Sequence, residues 1–577
     1  MAEHRVQGTR RVWMPALVLG LFAAVVIARL VHLQIIEHDR YAAEAQAELQ
    51  ASTTSFARRG ALLDRNGAVL AISVDTWDVY VNARAWRDAA VAIPASQELG
   101  SLLGADPTAL RQRVLEQEFG DVLLARDVGY EVGKALIEAQ IGGVVALPNS
   151  ERVNPEGDLA ASILGITGLD NNGLAGMEAA IDNILTGTPG RTIYERDTTG
   201  DPIPFGQFVA EEPVPGMDVV LTIDRYLQRL AEEALEKAIK DHGATGGTII
   251  IMDPRNGDIL ALATKPALEF STLDLSDVSQ VELLRNRAVT DLYEPGSVMK
   301  IITTAACIDA GLVNPNTTYV DTGSAQIYDV EIKNWEDNVY GEQTMTGVLQ
   351  HSINTGAIFM AQLLGEERFH QYLDAFGFGV PTGVELTGEA VGILRRPDDP
   401  GWSPVDLATQ AFGQSIGVTP IQMATAVAAA INGGHLLRPH LVRAYVHTDG
   451  TWLHNETIER GQAVSEETSA QIRQMMVAVI DPGGYHPGKP ELYTAGGKSG
   501  TANVPIPNGA YDDKHIASFV GFAPADEPQI LVLVKIDENE DGQTGTVAAG
   551  PVFARLVDET LAHLNVAPDA PSFARDR

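Results

Sequence analysis

The sequence predicts an α+β protein tethered by a single N-terminal transmembrane helix. Three observations predict it. Val12–Ala28 runs without a charge. Turn chemistry separates paired apolar runs at Asn66-Gly67 and again at Asp253-Pro254-Arg255-Asn256-Gly257-Asp258, the mark of β-hairpins. Asp224–Lys240 carries apolar residues at helical spacing.

The anchor comes first in the chain. Leu30–Ile36 extends the apolar run past Arg29, a side chain long enough to snorkel to the headgroups. Arg5, Arg10 and Arg11 precede the run and predict an N-terminus inside, with the bulk of the chain outside the membrane. A cleaved signal peptide is the competing reading, and Ala45-Gln46-Ala47 fits a loose cleavage pattern. The apolar core is longer than a signal core of roughly 7–15 residues, so an uncleaved anchor over 12–36 is expected.

After the anchor, Glu37–Leu49 reads as a continuing helix, and Arg59–Ala71 as a hairpin region. Gly165–Glu178 is glycine-rich but lacks the spacing of a phosphate loop, and reads as turns. The Pro- and Gly-containing stretch Glu211–Gly216 marks a boundary, dividing 37–212 from 213–564. Beyond it, Asp218–Ile223 and the pair Thr248–Met252 and Ile259–Ala263 read as strands. Near the end, Ile516–Phe522 and Gln529–Ile536 read as paired strands and Pro551–Leu564 as a closing helix. The tail Asn565–Arg577 is expected to be disordered.

Composition narrows the function. A chain of 577 residues is too long for one core. A formal net charge of −35 argues against nucleic-acid binding, which needs a cationic face; it reads as the solvation of a large surface. Cys307, the one cysteine, cannot form an internal disulfide and falls in the apolar run Ile301–Ile308, a core position.

Three short motifs carry chemistry. In Glu294-Pro295-Gly296-Ser297-Val298-Met299-Lys300, Pro-Gly suits a turn that opens a helix at Ser297, placing Ser297 and Lys300 on one face at i and i+3. A serine hydroxyl needs a base, and a lysine serves when burial or nearby cations depress its pKa. The helix start also offers N–H groups to an oxyanion. In Ser352-Ile353-Asn354, Ser352 can relay a proton, and Asn354 can hold Lys300 and bind a substrate amide. In Lys498-Ser499-Gly500-Thr501, Lys498 adds positive potential and Ser499 and Thr501 offer hydroxyls to a carboxylate. Gly500 lets a substrate backbone lie against a strand. Singly, each motif also fits a solvated helix lysine, a polar loop and a strand-end turn; their order and context together are specific.

Taken together, Ser-x-x-Lys, Ser-x-Asn and Lys-Ser-Gly resemble the signature of penicillin-binding proteins and serine β-lactamases. Tyr293–Lys300, Phe412-Gly413-Gln414, Gly417–Gln422, Asn432-Gly433-Gly434, Ser518–Pro524 and Val547–Phe553 resemble the class B penicillin-binding proteins; Arg59–Ala71 and Gly173–Glu178 resemble their non-catalytic pedestal. The resemblance implies an extended pedestal and a transpeptidase domain with a central antiparallel sheet flanked by helices. It implies acylation of Ser297 by the D-Ala-D-Ala end of a peptidoglycan stem peptide, with Lys300 as base and Ser352 and Asn354 completing the proton network. It assigns the terminal carboxylate to Lys498, Ser499 and Thr501, and the oxyanion to the N–H groups of Ser297 and Thr501. β-Lactams are the implied inhibitors, and the implied partners are a polytopic glycosyltransferase and other division proteins. A septal role is favoured over elongation through Tyr293–Gly296. Ser499 stands where threonine is commoner, with the hydroxyl kept.

Rival readings are weaker. A β-lactamase needs a deacylating base, and no Glu segment resembles one. A non-catalytic penicillin-binding scaffold has little room for a signalling domain before Val12. Asp537–Gly542 resembles the start of a calcium loop but has Ala548 at the twelfth position, so it reads as an acidic hairpin turn. His435 and His440 lack ligand-spaced partners. No metal and no cofactor are expected.

Overall fold

The computed structural model describes residues 4–41, 50–55, 57–118, 120–195, 208–274, 276–505 and 511–570. The charge-free run forms the first helix, α1 (His4–Val31), and a π-turn, His32–Ile36, continues it. Its apolar part, Pro15–Ile36, is 22 residues long. At 1.5 Å per residue that is about 33 Å, enough to cross a hydrocarbon core of ~30 Å. The helix expected over Glu37–Leu49 is helical at His38–Tyr41; its remainder lies outside the described residues.

The chain divides into two compact units, residues 1–58 with 188–214 and residues 59–187 with 215–577. In the first unit, strands Gln50–Ser55, Gly190–Glu195 and Phe208–Glu211 form an antiparallel sheet in that order.

The second unit uses residues from both sides of the expected boundary at 212/213. One mixed sheet runs in the order Trp452–His454, Val442–Val446, Asp218–Leu221, Leu62–Leu63, Val69–Asn82, Asp121–Gly129, and Val144–Val153 also pairs with the long strand Val69–Asn82. The Asn66-Gly67 hairpin forms as predicted, with Gly67 at φ 87°, where only glycine sits without strain. At Gly60 an added Cβ would stand 1.9 Å from the Met217 carbonyl oxygen, so a glycine is required where the two stretches meet.

Arg59 pins this junction. Its guanidinium, 0% exposed, donates to Glu178 Oε2 and Asp182 Oδ1, each at 2.6 Å, and to the carbonyls of Glu178 at 2.7 Å and Asn171 at 3.0 Å. Arg152 Nε donates to the other Glu178 oxygen at 2.8 Å. The glycine-rich segment 165–178 is therefore a set of turns wrapped around a buried ion-pair network.

The C-terminal part of the second unit is organised by a five-stranded antiparallel sheet of β1 (Gly246–Met252), β2 (Ile259–Lys265), β3 (Gly496–Pro505), β4 (Tyr511–Ala523) and β5 (Ile530–Asn539), in the order β2-β1-β5-β4-β3. Ile249, Ile251, Phe519, Val532 and Val534 face a core shared with α2 (Arg225–His242) and a C-terminal helix, Gly550–His563. Ile250, Met252, Val520, Leu531 and Leu533 face the larger, helical core on the other side. With both faces covered, β1 is buried along its whole length, which is why it reads as an unbroken apolar run.

Two expectations need correction. The acidic run from Asp537 begins inside a strand, because β5 continues to Asn539 with Asp537 bonded to the Lys535 amine. Residues 565–570 are ordered by contacts: the Val566 carbonyl accepts the Tyr493 hydroxyl at 2.7 Å, Ala570 N donates to the Leu492 carbonyl at 3.1 Å, and Asp569 caps Thr494 N at 2.7 Å. Residues 571–577 lie outside the described residues.

Truncating Arg59 leaves the buried Glu178 carboxylate and the partly exposed Asp182 each short of a partner, a loss of about 3–5 kcal/mol. Arg59→Ala should lower the denaturant midpoint accordingly, and an unchanged midpoint would remove this junction from the account.

Candidate active site

Ser297 is carried on a turn fixed at both ends. Tyr293 exchanges two backbone bonds with Val418, each 3.0 Å, and Gly296 N donates to the Gly413 carbonyl at 3.0 Å. Gly296 has φ 54°, a left-handed conformation suited to glycine. A 3₁₀ turn, Gly296–Met299, then leads into α3 (Lys300–Asp309). With three residues per 3₁₀ turn, Ser297 and Lys300 eclipse one another more closely than on an α-helix. Lys300 Nζ lies 3.0 Å from Ser297 Oγ.

Ser352 comes from the junction before α4 (Asn354–Leu364) and has φ 57°, a strained value for a residue with a side chain. That conformation turns its carbonyl oxygen to 2.6 Å from Lys300 Nζ, with its Oγ at 3.3 Å. Asn354 Oδ1 lies 2.8 Å from the same amine, while Asn354 Nδ2 donates to the Lys333 carbonyl at 2.9 Å and so fixes which end of the amide faces Lys300. A neutral amine has two hydrogens and one lone pair. The hydrogens have two pure acceptors, the Ser352 carbonyl and Asn354 Oδ1. The lone pair is left for the proton of Ser297.

The protonation state follows from burial. Lys300 is 0% exposed, and desolvation, then the nearby Lys498 charge, holds its pKa well below the ordinary lysine value. Lys498 reaches the site from β3, donating to Ser352 Oγ at 3.0 Å and to the Ser499 carbonyl at 2.9 Å; burial lowers it to about 7. Among the described residues, no carboxylate lies within ion-pairing distance of either amine.

A cleft of about 230 Å³ opens beside Ser297, with Asn354, Ser499, Thr501 and Asn503 in its walls. Thr501 Oγ1 accepts the Gly545 N–H at 3.1 Å, which leaves its hydroxyl hydrogen free to point elsewhere. Gly500 is placed differently from expectation. A Cβ there would stand 2.5 Å from Ser518 Oγ and 2.7 Å from the Pro295 carbonyl oxygen, so its bare backbone serves the docking of β3 against the Ser297 turn.

The motifs do not mark the rim of the cleft. Trp335, Tyr340, His351 and Thr544 line it, with Phe412 and Gln414 from the segment singled out above only for its resemblance. Tyr340 stacks on His351 with centroids 5.1 Å apart. No fixed spacing joins these residues to Ser297, so no sequence signal points to them. His440 bonds Asp258 at 2.8 Å, and His435 bonds Glu459 at 2.8 Å. Among the described residues, no group of side chains suits a metal ion.

Comparison with known proteins agrees with this geometry. A family model for the penicillin binding protein transpeptidase domain matches residues 247–558, and one for the penicillin-binding protein dimerisation domain matches residues 54–221. Stage V sporulation protein D of Bacillus subtilis is 33% identical over 561 residues, covering 96% of this chain and 85% of its own. Peptidoglycan D,D-transpeptidase FtsI of Escherichia coli is 30% identical over 570 residues, covering 97% and 93%. The crystal structure of penicillin binding protein 2X from Streptococcus thermophilus superposes with a TM-score of 0.76 at 25% identity, covering 90% of this chain and 81% of that one.

Two outcomes are expected. Gly500→Ala forces the Ser297 turn to move, and a displacement near 1 Å costs on the order of 100-fold in rate; labelling of Ser297 by a fluorescent penicillin should slow accordingly. Lys498 is neutral in the fold above a pH of about 7 but stays protonated in the unfolded chain up to its ordinary value of 10.5. The unfolded state therefore binds the extra proton in that window, and Lys498 makes stability rise with pH there. Lys498→Met should remove about one proton from the slope of unfolding free energy against pH.

Proposed function

Because this chain belongs to the class B penicillin-binding proteins, which are peptidoglycan D,D-transpeptidases, we propose that it cross-links stem peptides through an acyl-enzyme on Ser297. The observation that carries this reading is the Lys300 amine, buried, with its pKa held well below the ordinary lysine value, 3.0 Å from the Ser297 hydroxyl. Lys300 takes the serine proton as Ser297 Oγ attacks the D-Ala-D-Ala carbonyl. Backbone N–H groups of Ser297 and Thr501 receive the oxyanion. Ser352, between the two amines, passes a proton to the departing D-Ala nitrogen, and Asn354 keeps Lys300 in place. Lys498, Ser499 and Thr501 bind the terminal carboxylate, with Gly500 holding their strand against the nucleophile's turn. An amine of a neighbouring stem then attacks the ester, and the same groups run in reverse.

The cellular setting extends the proposal. α1 spans the cytoplasmic membrane with the N-terminus inside, supported by Arg5, Arg10 and Arg11 before the apolar stretch. Residues 37–212 serve as pedestal and 213–564 as the transpeptidase domain. The septal reading over elongation rests on Tyr293-Glu294-Pro295-Gly296, and a polytopic glycosyltransferase is the partner of the anchor and pedestal.

Fluorescent penicillin should label the protein, the adduct should map to Ser297, and it should persist for hours. Release within seconds would mean a β-lactamase, and a Ser297→Ala variant that sustains growth would mean a scaffold. Lys300→Met should slow labelling by about 10²–10⁴-fold, the usual weight of a general base. Filamentous growth on depletion is the outcome expected of a septal enzyme, and widened or rounded cells would assign it to elongation.

A further inference from the structure

Behind the cleft lies a buried carboxylate that the reaction above does not use. Asp321 ends the strand Thr318–Asp321 and is 2% exposed. Its Oδ1 accepts Thr355 Oγ1 at 2.6 Å and Gly323 N at 3.1 Å; its Oδ2 accepts Tyr340 N at 2.8 Å; Asn334 Nδ2 lies 3.0 Å from both oxygens. The Tyr319 hydroxyl is within hydrogen-bonding distance of Thr355 Oγ1, at 2.7 Å, and so backs the same cluster.

These donors come from the elements that shape the site. Thr355 follows Asn354 in the first turn of α4, and its N–H donates to Asn334 Oδ1 at 3.2 Å. Asn334 follows Lys333, whose carbonyl holds the Asn354 amide. Tyr340 closes the loop that carries Trp335 into the cleft wall. That loop contains Glu336 and Asp337 at φ 56° and 57°, two successive side-chain-bearing residues in left-handed conformation. Such a backbone persists only when its surroundings over-determine it. Asp321 supplies that restraint at both ends, through Asn334 and Tyr340.

We propose that Asp321 is a positioning residue for acylation: its carboxylate locks the Lys333–Asn334 peptide, the Lys333 carbonyl fixes the Asn354 amide, and Asn354 Oδ1 aims the Lys300 amine at Ser297. The inference rests on the acyl-transfer reading above. Asp321 touches no reacting atom, and its action is transmitted entirely through Asn354. That chain separates it from a carboxylate that merely holds the fold together, because its effect must vanish once Asn354 is removed.

The test is a double-mutant cycle on the full-length membrane protein, read as the rate constant for penicillin acylation and, separately, the dissociation constant of the non-covalent complex. Asp321→Asn turns an amide hydrogen toward donors. It should slow acylation by roughly 10–100-fold, the cost of a misplaced catalytic group, with the dissociation constant changed less than about 3-fold. In an Asn354→Ala background the same substitution should slow acylation by less than about 2-fold further. Thr355→Val removes one donor without a charge change and carries the test should Asp321→Asn fail to fold. It should show a smaller loss, again absent without Asn354. Equal losses in both backgrounds, or a loss carried by the dissociation constant, overturn the proposal. Failure of the unmodified protein to label at Ser297 would instead overturn the acyl-transfer reading.

Discussion

The catalytic half is built around one amine removed from water. Lys300 Nζ, on a residue 0% exposed, contacts Ser297, Ser352 and Asn354, and among the described residues no carboxylate pairs with it. A protonated amine there would be a costly buried charge, so burial pushes its pKa well below the ordinary lysine value. Chemistry and architecture thus impose the same demand. The amine must be enclosed on every side except the one from which the Ser297 proton arrives, and the enclosing groups come from the N-terminal turn of α3, the start of α4 and strand β3. These segments are far apart in sequence, and the amine is their common point.

Enclosure that tight requires backbones to touch, and glycine sits at each contact. A Cβ at Gly413 would stand 2.1 Å from the Gly296 carbonyl oxygen, one at Gly296 would stand 3.0 Å from the Thr501 carbonyl oxygen, and one at Gly500 would meet Pro295. The serine's turn is therefore clamped between the Gly413 segment and β3, with no side chain interposed. Precision in Ser297 comes from main-chain contact on both sides, which tolerates less drift than side-chain packing does.

That arrangement explains which features were legible in the sequence. Apolar runs such as Thr248–Met252, the Asn66-Gly67 turn and the helix after Asp224 obey local periodicity, and each appears where its pattern predicts it. The Ser-x-x-Lys, Ser-x-Asn and Lys-Ser-Gly motifs were legible as residue types at short spacing, and the fold brings Ser297, Lys300, Ser352, Asn354 and Lys498 within hydrogen-bonding reach of one another. The role of Gly500 was misread because the sequence does not say which surface a glycine faces. Trp335, Tyr340 and His351 were invisible as cleft residues because their proximity to Ser297 is set by tertiary folding. The ordered segment 565–570 was missed for a related reason: Pro- and Ala-rich composition argues for disorder, and Tyr493, Thr494 and Leu492, more than 70 residues away, supply the partners that overrule it.

The two lysines of the site are both buried, and burial lowers the pKa of each; at Lys300 the nearby Lys498 charge adds to desolvation. On the proposed reading, Lys498 is the amine that meets the substrate carboxylate. On that reading, the negative charge of an arriving stem-peptide carboxylate would favour the protonated form of Lys498. The incoming anion and the proton it recruits neutralise each other, so recognition adds no net buried charge. Among the described residues no carboxylate pairs with either amine; one built in beside them would favour a permanently charged Lys498 and, on the proposed reading, occupy the place of the substrate's own.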